Sequence, residues 1–270
     1  MKNIIVHLNC HTHPIASALS DFFPPSDYNI VKVINFKKQP IPESVLKNCY
    51  LYIYQCLAGE HWGQYASDFF KKQLPGQCIV IRYPILRFNP FWPFNTKNAF
   101  RTNSNEMKKS ALFPDGDNFL ISKRNEYNNA EELANEYLNL DLNSLINLDE
   151  EFQKILDWYD SPRNSKDINV KDFVLQHFKD RILFHTVDHI SDFFLNYMVN
   201  NVFRLLGINK TKNYTCKFME QNNVPMHPSV IKHFNLSFVN EKQLYLYNGN
   251  HLTTREYYIK YILELHRLDS

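Results

Sequence analysis

Hydrophobic and polar positions follow two periods over the first 95 residues. Four short apolar runs are typical of buried β-strands, at 4–8, 28–36, 50–57 and 78–83. Between them, apolar residues recur every three or four positions along 15–23 and 62–74, which is the spacing of one helix face. Strands that alternate with helices predict a parallel sheet with helices packed on it. We therefore expect a small three-layer, flavodoxin-like α/β subdomain over 1–95.

From Ala130 onward the helical period predominates. Amphipathic stripes and capping signals predict helices over 130–138, 152–159, 170–178, 192–206, 229–234 and 254–267. Ser191 is a predicted N-cap, Gly207 a predicted stop, and Thr253 with Glu256 forms a capping box. Residues 85–128 are expected to be irregular. The fold class predicted is α/β, with a predominantly helical region over 96–270 packed on the first subdomain as one integrated domain.

Composition narrows the function classes. The 30 Lys and Arg residues nearly balance 28 Asp and Glu, and a net charge of +2 offers no electrostatic case for nucleic acid or a membrane surface. No apolar run is long enough to predict a transmembrane helix. Neither GxGxxG nor GxxxxGK[ST] occurs, which argues against dinucleotide and P-loop sites. Five cysteines without a CxxC spacing favour a reduced, cytoplasmic protein.

The segment Cys10-His11-Thr12-His13 directly follows the first predicted strand and precedes Pro14, a residue suited to a first helical turn. One interpretation is a metal site, since imidazoles bind zinc and iron and a HxH pair follows the first strand of many metal-dependent barrels. Such barrels continue strand and helix to their end, whereas this chain becomes helical. We therefore expect no metal.

A second interpretation is nucleophilic chemistry at Cys10. A helix N-terminus favours the thiolate, and ligands of open α/β sheets bind at the carboxyl ends of strands. The backbone N–H groups of His11 and Thr12 are candidate oxyanion donors, and His13 is close enough in sequence to assist. Gln55 ends the third predicted strand and is expected on the same rim. The third interpretation is a small buried cysteine beside polar or capping histidines.

A thiol nucleophile needs a base. The segment 183–191 contains His185 and His189, which share a face if the segment is helical, and Thr186 or Asp188 would orient one of them. Structural histidines held by hydrogen bonds are the alternative.

An aromatic, proline-rich run occupies 87–94 and follows Tyr83 at the end of the fourth predicted strand. This run could line an apolar slot for an adenine or a pantetheine arm, with Tyr83, Arg87 and Trp92 as the candidate cofactor-binding residues. It could equally form an interface or a loop folded over the sheet edge.

Several blocks together resemble the WcbI-type polysaccharide biosynthesis family. They are LNC at 8–10, YQ at 54–55, IRYPILRF at 81–88, INVKDFVLQHFKDRILFHTVDHIS at 168–191, NVPMHPSVIKHFNLSF at 223–238 and LTTREYYIKYI at 252–262. The resemblance implies a first subdomain like that of SGNH-type hydrolases, coenzyme A binding, and acetyl transfer to a capsule sugar. It marks Cys10, His185 and His189 as the residues of interest. Leu8 and His11 depart from the family's Gly-Asn-Cys-Gln motif.

The leading hypothesis is therefore acyl transfer from acetyl-CoA to a sugar hydroxyl in surface or capsular polysaccharide biosynthesis. Cys10 would carry the acyl group or lie beside the transition state, and His185 or His189 would be the base. Two alternatives stay open. One is an SGNH-like esterase or thioesterase, and the other is a non-catalytic module that binds a sugar or nucleotide.

Overall fold

A computed structural model of the chain describes residues 1–96, 113, 115–164, 167–209, 212–240 and 242–269. Its strands are β1 (Lys2–Leu8), β2 (Tyr28–Ile34), β3 (Cys49–Tyr54), β4 (Ile79–Arg82), β5 (Asn95–Thr96), β6 (Gly116–Asp117), β7 (Tyr245–Tyr247) and β8 (Asn250–Leu252). Its helices are α1 (Thr12–Ser20), α2 (Glu43–Lys47), α3 (Ser67–Lys71), α4 (Asn118–Lys123), α5 (Ala130–Asn139), α6 (Leu148–Asp160), α7 (Val170–His177), α8 (Asp192–Leu205), α9 (Lys217–Glu220), α10 (Pro228–Phe234) and α11 (Thr254–Asp269).

The chain divides into two compact units, each assembled from three segments. The first comprises 1–86, 156–175 and 191–216, and the second comprises 87–155, 176–190 and 217–270. The expected division of the chain near residue 95 stays a prediction. None of the helices in the described part of the chain combines the length and apolar character needed to cross a membrane.

Four parallel strands form the sheet of the first unit, in the order β2-β1-β3-β4. Strand β1 is the centre of this unit, since every residue from Asn3 to Leu8 is buried. The predicted strands and their parallel pairing are confirmed, and all four begin or end within about three residues of the expected positions.

Helices cover both faces of the sheet. Ile5, Val33 and Tyr52 face one side, in a buried cluster with Leu46 of α2 and Phe70 of α3. The connections that carry α2 and α3 run across the sheet from β2 toward β4, whereas α1 connects β1 to β2 in the reverse direction. Because such crossovers are right-handed, α1 lies on the other face of the sheet. There its apolar stripe is fully covered, at Ile15, Ala18 and Leu19. The three-layer α/β prediction is confirmed.

The expected helix over 62–74 is wrong in extent. A 3₁₀ turn at Gly63–Tyr65 is followed by an extended Ala66, and only Ser67–Lys71 is α-helical. The hydroxyl of buried Ser67 donates to Gln55 O at 2.6 Å and accepts from Leu57 N at 2.8 Å. These bonds tie the chain to the loop after β3, and they override the helical period of the side chains.

The second unit is mainly helical around its own core. Helices α5 and α11 contribute Leu133, Tyr137, Tyr258 and Ile262 to one buried cluster. The predicted capping box is confirmed at the start of α11, where Thr253 N donates to Glu256 Oε2 at 2.8 Å and Glu256 N donates to Thr253 Oγ1 at 3.3 Å. The reciprocal bonds satisfy two backbone donors of the first turn.

The sequence prediction missed several short elements of this unit, among them α4 and the hairpin β7–β8. Helix α4 lies within the segment expected to be irregular, of which 97–112 and 114 are outside the described residues. Asp117 caps α4 by accepting from Leu120 N at 3.0 Å. The hairpin β7–β8 turns at Asn248-Gly249, both with positive φ, which is the dipeptide favoured by a tight hairpin turn.

Candidate active site

The strand order changes direction between β1 and β3. The chain leaves β1 toward β2 on one side and returns to β3 on the other, so the two connecting helices lie on opposite faces. Open α/β sheets bind ligands at such a change of direction, so the expected ligand crevice lies beyond the carboxyl ends of β1 and β3. The residues that follow these two strands are Asn9-Cys10-His11 and Gln55.

The turn from β1 into α1 presents Cys10. Its side chain is partly exposed, while His11 and Thr12 on either side of the helix start are fully buried. The Thr12 hydroxyl donates to Leu8 O at 2.9 Å and anchors the helix to the end of β1. A thiol at this position is therefore held at the crevice by residues that cannot move independently of the sheet.

Gln55 holds the turn in place. Its Oε1 accepts from Asn9 N at 3.0 Å and from the side-chain amide of Asn35 at 2.8 Å. Its Nε2 donates to Pro84 O at 3.2 Å. One buried amide thus connects the ends of β1 and β3 with the residues that follow β2 and β4. A donor and an acceptor are both needed, so a carboxylate or an alkyl group cannot replace it fully.

Tyr83 lies beneath the same turn. Its hydroxyl and His11 Nδ1 are hydrogen-bonded at 2.9 Å, and both side chains are buried. Burial, with a smaller electrostatic contribution from Cys10, raises the pKa of Tyr83 well above its ordinary value. Tyr83 therefore stays a neutral phenol and holds the His11 ring through its hydroxyl.

A second buried histidine–tyrosine pair lies within the sheet. His7 Nδ1 and the Tyr52 hydroxyl are hydrogen-bonded at 2.8 Å, and burial lowers the pKa of His7 to about 4. Tyr52 is part of the buried cluster beneath α2 and α3. The two pairs share chemistry and burial, but only the pair of His11 and Tyr83 adjoins Cys10.

The backbone groups expected to bind an oxyanion are already engaged. His11 N donates to Asn9 Oδ1 at 3.2 Å, and Thr12 N donates to Asn9 O at 3.1 Å. An oxyanion could use the His11 N–H only after displacing the Asn9 side chain. His13 is exposed on α1. The oxyanion role of His11 and Thr12 and the assisting role of His13 stay predictions.

The segment with His185 and His189 is a closed loop and not a helix, so the two histidines do not share a helix face. Phe184 and Ile190 form an antiparallel bridge, and His185 N donates to His189 O at 2.8 Å. The Thr186 hydroxyl accepts from His189 N at 3.3 Å and from Asp188 N at 3.4 Å, so it takes donors that a helix would use. The loop thereby places the two histidines side by side.

Neighbouring segments of the second unit hold this loop. Phe88 N donates to Val187 O at 2.8 Å, and Val224 N donates to His185 O at 3.0 Å. The His189 ring contacts Phe218 edge to face, with the ring centroids 5.8 Å apart. Both histidines are partly buried. His185 and His189 belong to the second unit, whereas Cys10 belongs to the first. Their role as the base for Cys10 stays a prediction.

The aromatic run contributes Trp92 to a small cavity. Trp92 Nε1 donates to Val224 O at 3.2 Å, and the ring borders a space of about 30 Å³ lined also by Asp117, Tyr137 and His227. This volume accommodates one or two water molecules and not an adenine. Arg87 is exposed, and its Nε donates to Asn89 Oδ1 at 2.7 Å. A nucleotide at Trp92 would require side chains to move, so this assignment stays a prediction.

Sequence reasoning missed two side chains of the rim. Asn9 supplies the acceptor for His11 N, and Asn35 donates to Gln55. Asn35 follows an apolar strand run as Gln55 does, and this position was the signal for it. Within the described part of the chain, no group of three or more His, Cys, Asp and Glu side chains is arranged to hold a metal ion.

The parallel sheet, its change of direction and the thiol at that point define an α/β protein with a partly exposed cysteine after its central strand. The family described as "Polysaccharide biosynthesis enzyme WcbI" matches residues 3–211. The chain belongs to this family, and the resemblance noted from the sequence is confirmed.

A solved structure of WcbI has the same fold. It is described as a novel polysaccharide biosynthesis enzyme, in a native form without a disulfide bond between coenzyme A and one of its cysteines. The TM-score is 0.77 at 16% sequence identity, and the match covers 98% of this chain and 90% of that chain. No curated protein sequence matches the chain.

Proposed function

We propose that the chain is an acyltransferase that moves an acetyl group from acetyl-CoA to a sugar hydroxyl during surface or capsular polysaccharide biosynthesis. The observation that carries the proposal is the partly exposed Cys10 thiol at the crevice between β1 and β3, held there by Gln55 and Asn9. Membership in a family of polysaccharide biosynthesis enzymes supports the acceptor class. A cytoplasmic setting, where CoA thioesters are made, is part of the proposal.

The residues of the crevice suit the thioester end of acetyl-CoA. Cys10 follows β1 immediately before α1, so the partial positive charge of a helix N-terminus favours its thiolate. A thiolate exchanges readily with a thioester because the bond formed and the bond broken are equivalent. The related WcbI structure, whose description mentions coenzyme A and a cysteine together, supports this choice of substrate.

In the covalent version, the Cys10 sulfur attacks the thioester carbonyl. The bond between the acetyl carbon and the CoA sulfur breaks, an acetyl-cysteine forms, and CoA leaves as its thiol with the proton from Cys10. The sugar oxygen then attacks the acetyl carbon, the bond from that carbon to the Cys10 sulfur breaks, an O-acetylated sugar forms, and the hydroxyl proton returns to the Cys10 sulfur. A base is needed in both steps, and His185 or His189 is our candidate for it.

Direct transfer is the second version of the same function. The sugar hydroxyl attacks acetyl-CoA itself, and Cys10 only borders the reacting atoms. The buried His11, fixed by Tyr83, would then shape the crevice beside the carbonyl. The two versions differ in one observable, which is whether an acetyl group becomes attached to Cys10.

The deciding experiment incubates the purified chain with isotopically labelled acetyl-CoA and no acceptor, then maps the label by peptide mass spectrometry. We expect acetylation of Cys10, a melting temperature raised by CoA and acetyl-CoA, and loss of transfer in Cys10→Ala by about 10²-fold or more. Cys216→Ala is the matched control, since Cys216 is also a partly exposed cysteine of the first unit.

Two outcomes would revise the proposal, and a third would contradict it. A Cys10→Ala chain with full transfer activity removes the covalent version and leaves direct transfer. Labelled acetate as the sole product, with candidate saccharides present, indicates a thioesterase. No thermal shift with either CoA or acetyl-CoA, together with no turnover, contradicts acyl transfer altogether.

A further inference from the structure

Two cysteines outside the candidate active site lie on one face of the sheet, at the amino ends of neighbouring strands. Cys49 is the first residue of β3, and Cys78 directly precedes β4. A bulge in β3 determines the orientation of Cys49. Asn3 pairs with Cys49 and Ile4 pairs with Leu51, which leaves Tyr50 as the extra residue.

The bulge turns Cys49 to the same face of the sheet as Cys78. Ile5 pairs with Tyr52 beyond the bulge, so Cys49 and Tyr52 point to one side. Tyr52 pairs with Val80 of β4, and Cys78 lies two residues before Val80 on that same side. Both cysteines accordingly pack against one buried cluster under α2 and α3.

The two thiols lie on neighbouring strands and differ in environment. Cys49 is only 3% exposed and donates to Leu51 O at 3.3 Å, whereas Cys78 is partly exposed and donates to Ile79 O at 3.5 Å. The neighbouring Cys49 thiol lowers the pKa of Cys78, and the Cys78 thiol together with burial raises the pKa of Cys49. Cys78 is therefore the thiol that ionises first and meets solvent, and Cys49 is its sheltered neighbour on the adjacent strand.

We propose that Cys49 and Cys78 are a redox-active pair that closes to a disulfide between β3 and β4 when the protein meets a peroxide. The pair is a modification site that is independent of acyl transfer. Its partly exposed member receives the oxidant and its buried member resolves the product.

The reaction proceeds in two balanced steps. The Cys78 thiolate attacks one oxygen of hydrogen peroxide, the O–O bond breaks, and Cys78 becomes a sulfenic acid as the other oxygen leaves as water after protonation. The Cys49 sulfur then attacks the Cys78 sulfur, the S–O bond breaks, and a second water leaves with the Cys49 proton. Two thiols are oxidised by two electrons and one peroxide is reduced to two waters.

The bond would tie the two strands at the end of the sheet opposite to Cys10. Strand β3 separates Cys49 from Gln55 by six residues, which is about 20 Å along an extended chain. Cross-linking closes the loop that contains α3, so the oxidised chain should melt about 5–10 °C higher than the reduced one.

The test treats the reduced full-length chain with a modest excess of hydrogen peroxide, blocks remaining thiols by alkylation, and maps the peptides by mass spectrometry without reduction. We expect a peptide joining Cys49 to Cys78, with a mass lower by two hydrogen atoms and reversal by dithiothreitol. Cys78→Ser and Cys49→Val should each abolish both the linked peptide and the rise in melting temperature. Cys216→Ser should retain both.

Three results would overturn the proposal. One is a Cys78 that accumulates as sulfinic acid while Cys49 stays alkylatable. Another is a linked peptide that joins either cysteine to a different partner. The third is a Cys49–Cys78 bond that forms no faster than the oxidation of Cys216, since that equality would show that the pair has no special reactivity. Loss of acyl transfer has no bearing on these readouts.

Discussion

The turn after β1 and the loop at 184–190 present the candidate chemistry of the two units, and they are held in different ways. Side chains hold much of the turn, since Gln55 accepts from Asn9 N and the Asn9 side chain accepts from His11 N. Backbone groups hold the loop, through bonds from His185 to His189, from Phe88 to Val187 and from Val224 to His185.

This difference determines how each region responds to mutation. A backbone hydrogen bond survives substitution of the residue that makes it, whereas a side-chain hydrogen bond is lost with the side chain. The geometry around Cys10 therefore depends on the identity of two or three residues. The geometry around His185 and His189 depends mostly on the path of the chain.

The largest effect is expected from Gln55→Leu. The change leaves Asn9 N, the Asn35 amide and Pro84 O without their partner, and at about 1–3 kcal/mol for each buried group the loss should reach about 3–5 kcal/mol. Urea unfolding measures it, and acetyl-CoA binding should fall with it. Gln55→Glu keeps the acceptor and should lose less. Equal losses in both variants would show that the accepting oxygen is unimportant.

An intermediate effect is expected from Tyr83→Phe, with Tyr52→Phe as its twin. Each removes a buried hydroxyl bonded to a histidine, at a cost of about 1–2 kcal/mol. Because Tyr83 positions His11 next to Cys10, only Tyr83→Phe should also reduce acyl transfer, by about tenfold or more. The pair of assays separates positioning from stability, and matching activities in the two variants would contradict the positioning role.

The smallest effect is expected from Thr186→Val, which preserves shape and removes the hydroxyl that accepts from Asp188 N and His189 N. Both bonds are long and three backbone bonds to the loop remain, so the loss should be about 1 kcal/mol or less. Thr186→Ser should restore it. A loss as large as that of Gln55→Leu would reverse the comparison between the two regions.

Much of the fold could be predicted from the sequence, because the periodicity of apolar residues shows which face of a strand or helix is buried. The four strands of the sheet, α1, α5, α8 and the capping box of α11 follow from period and caps alone. The split of the 62–74 helix does not, because it depends on hydrogen bonds between Ser67 and residues after β3. A local pattern carries no information about such partners.

The site was accessible in part for a related reason. The strand ends that carry Cys10, Gln55 and Tyr83 can be placed on one rim from the parallel topology. Which backbone donors the turn has already used could not be known, since that depends on the Asn9 side chain folding back onto His11 N. The loop at 184–190 could not be distinguished from a helix, because residues four apart, such as His185 and His189, can be neighbours in either.

The Gln55 side-chain amide is shared by Asn9, Asn35 and Pro84, and this sharing also limits which substitutions the site can accept. A substitution at Asn35 or Asn9 changes the hydrogen-bond complement required of residue 55, and a new residue there must again suit Pro84 O. A substitution at one of positions 9, 35 and 55 is therefore expected to require a compensating substitution at another. We therefore expect changes of acceptor preference to arise in segments away from the rim, while Asn9, Asn35 and Gln55 stay unchanged together.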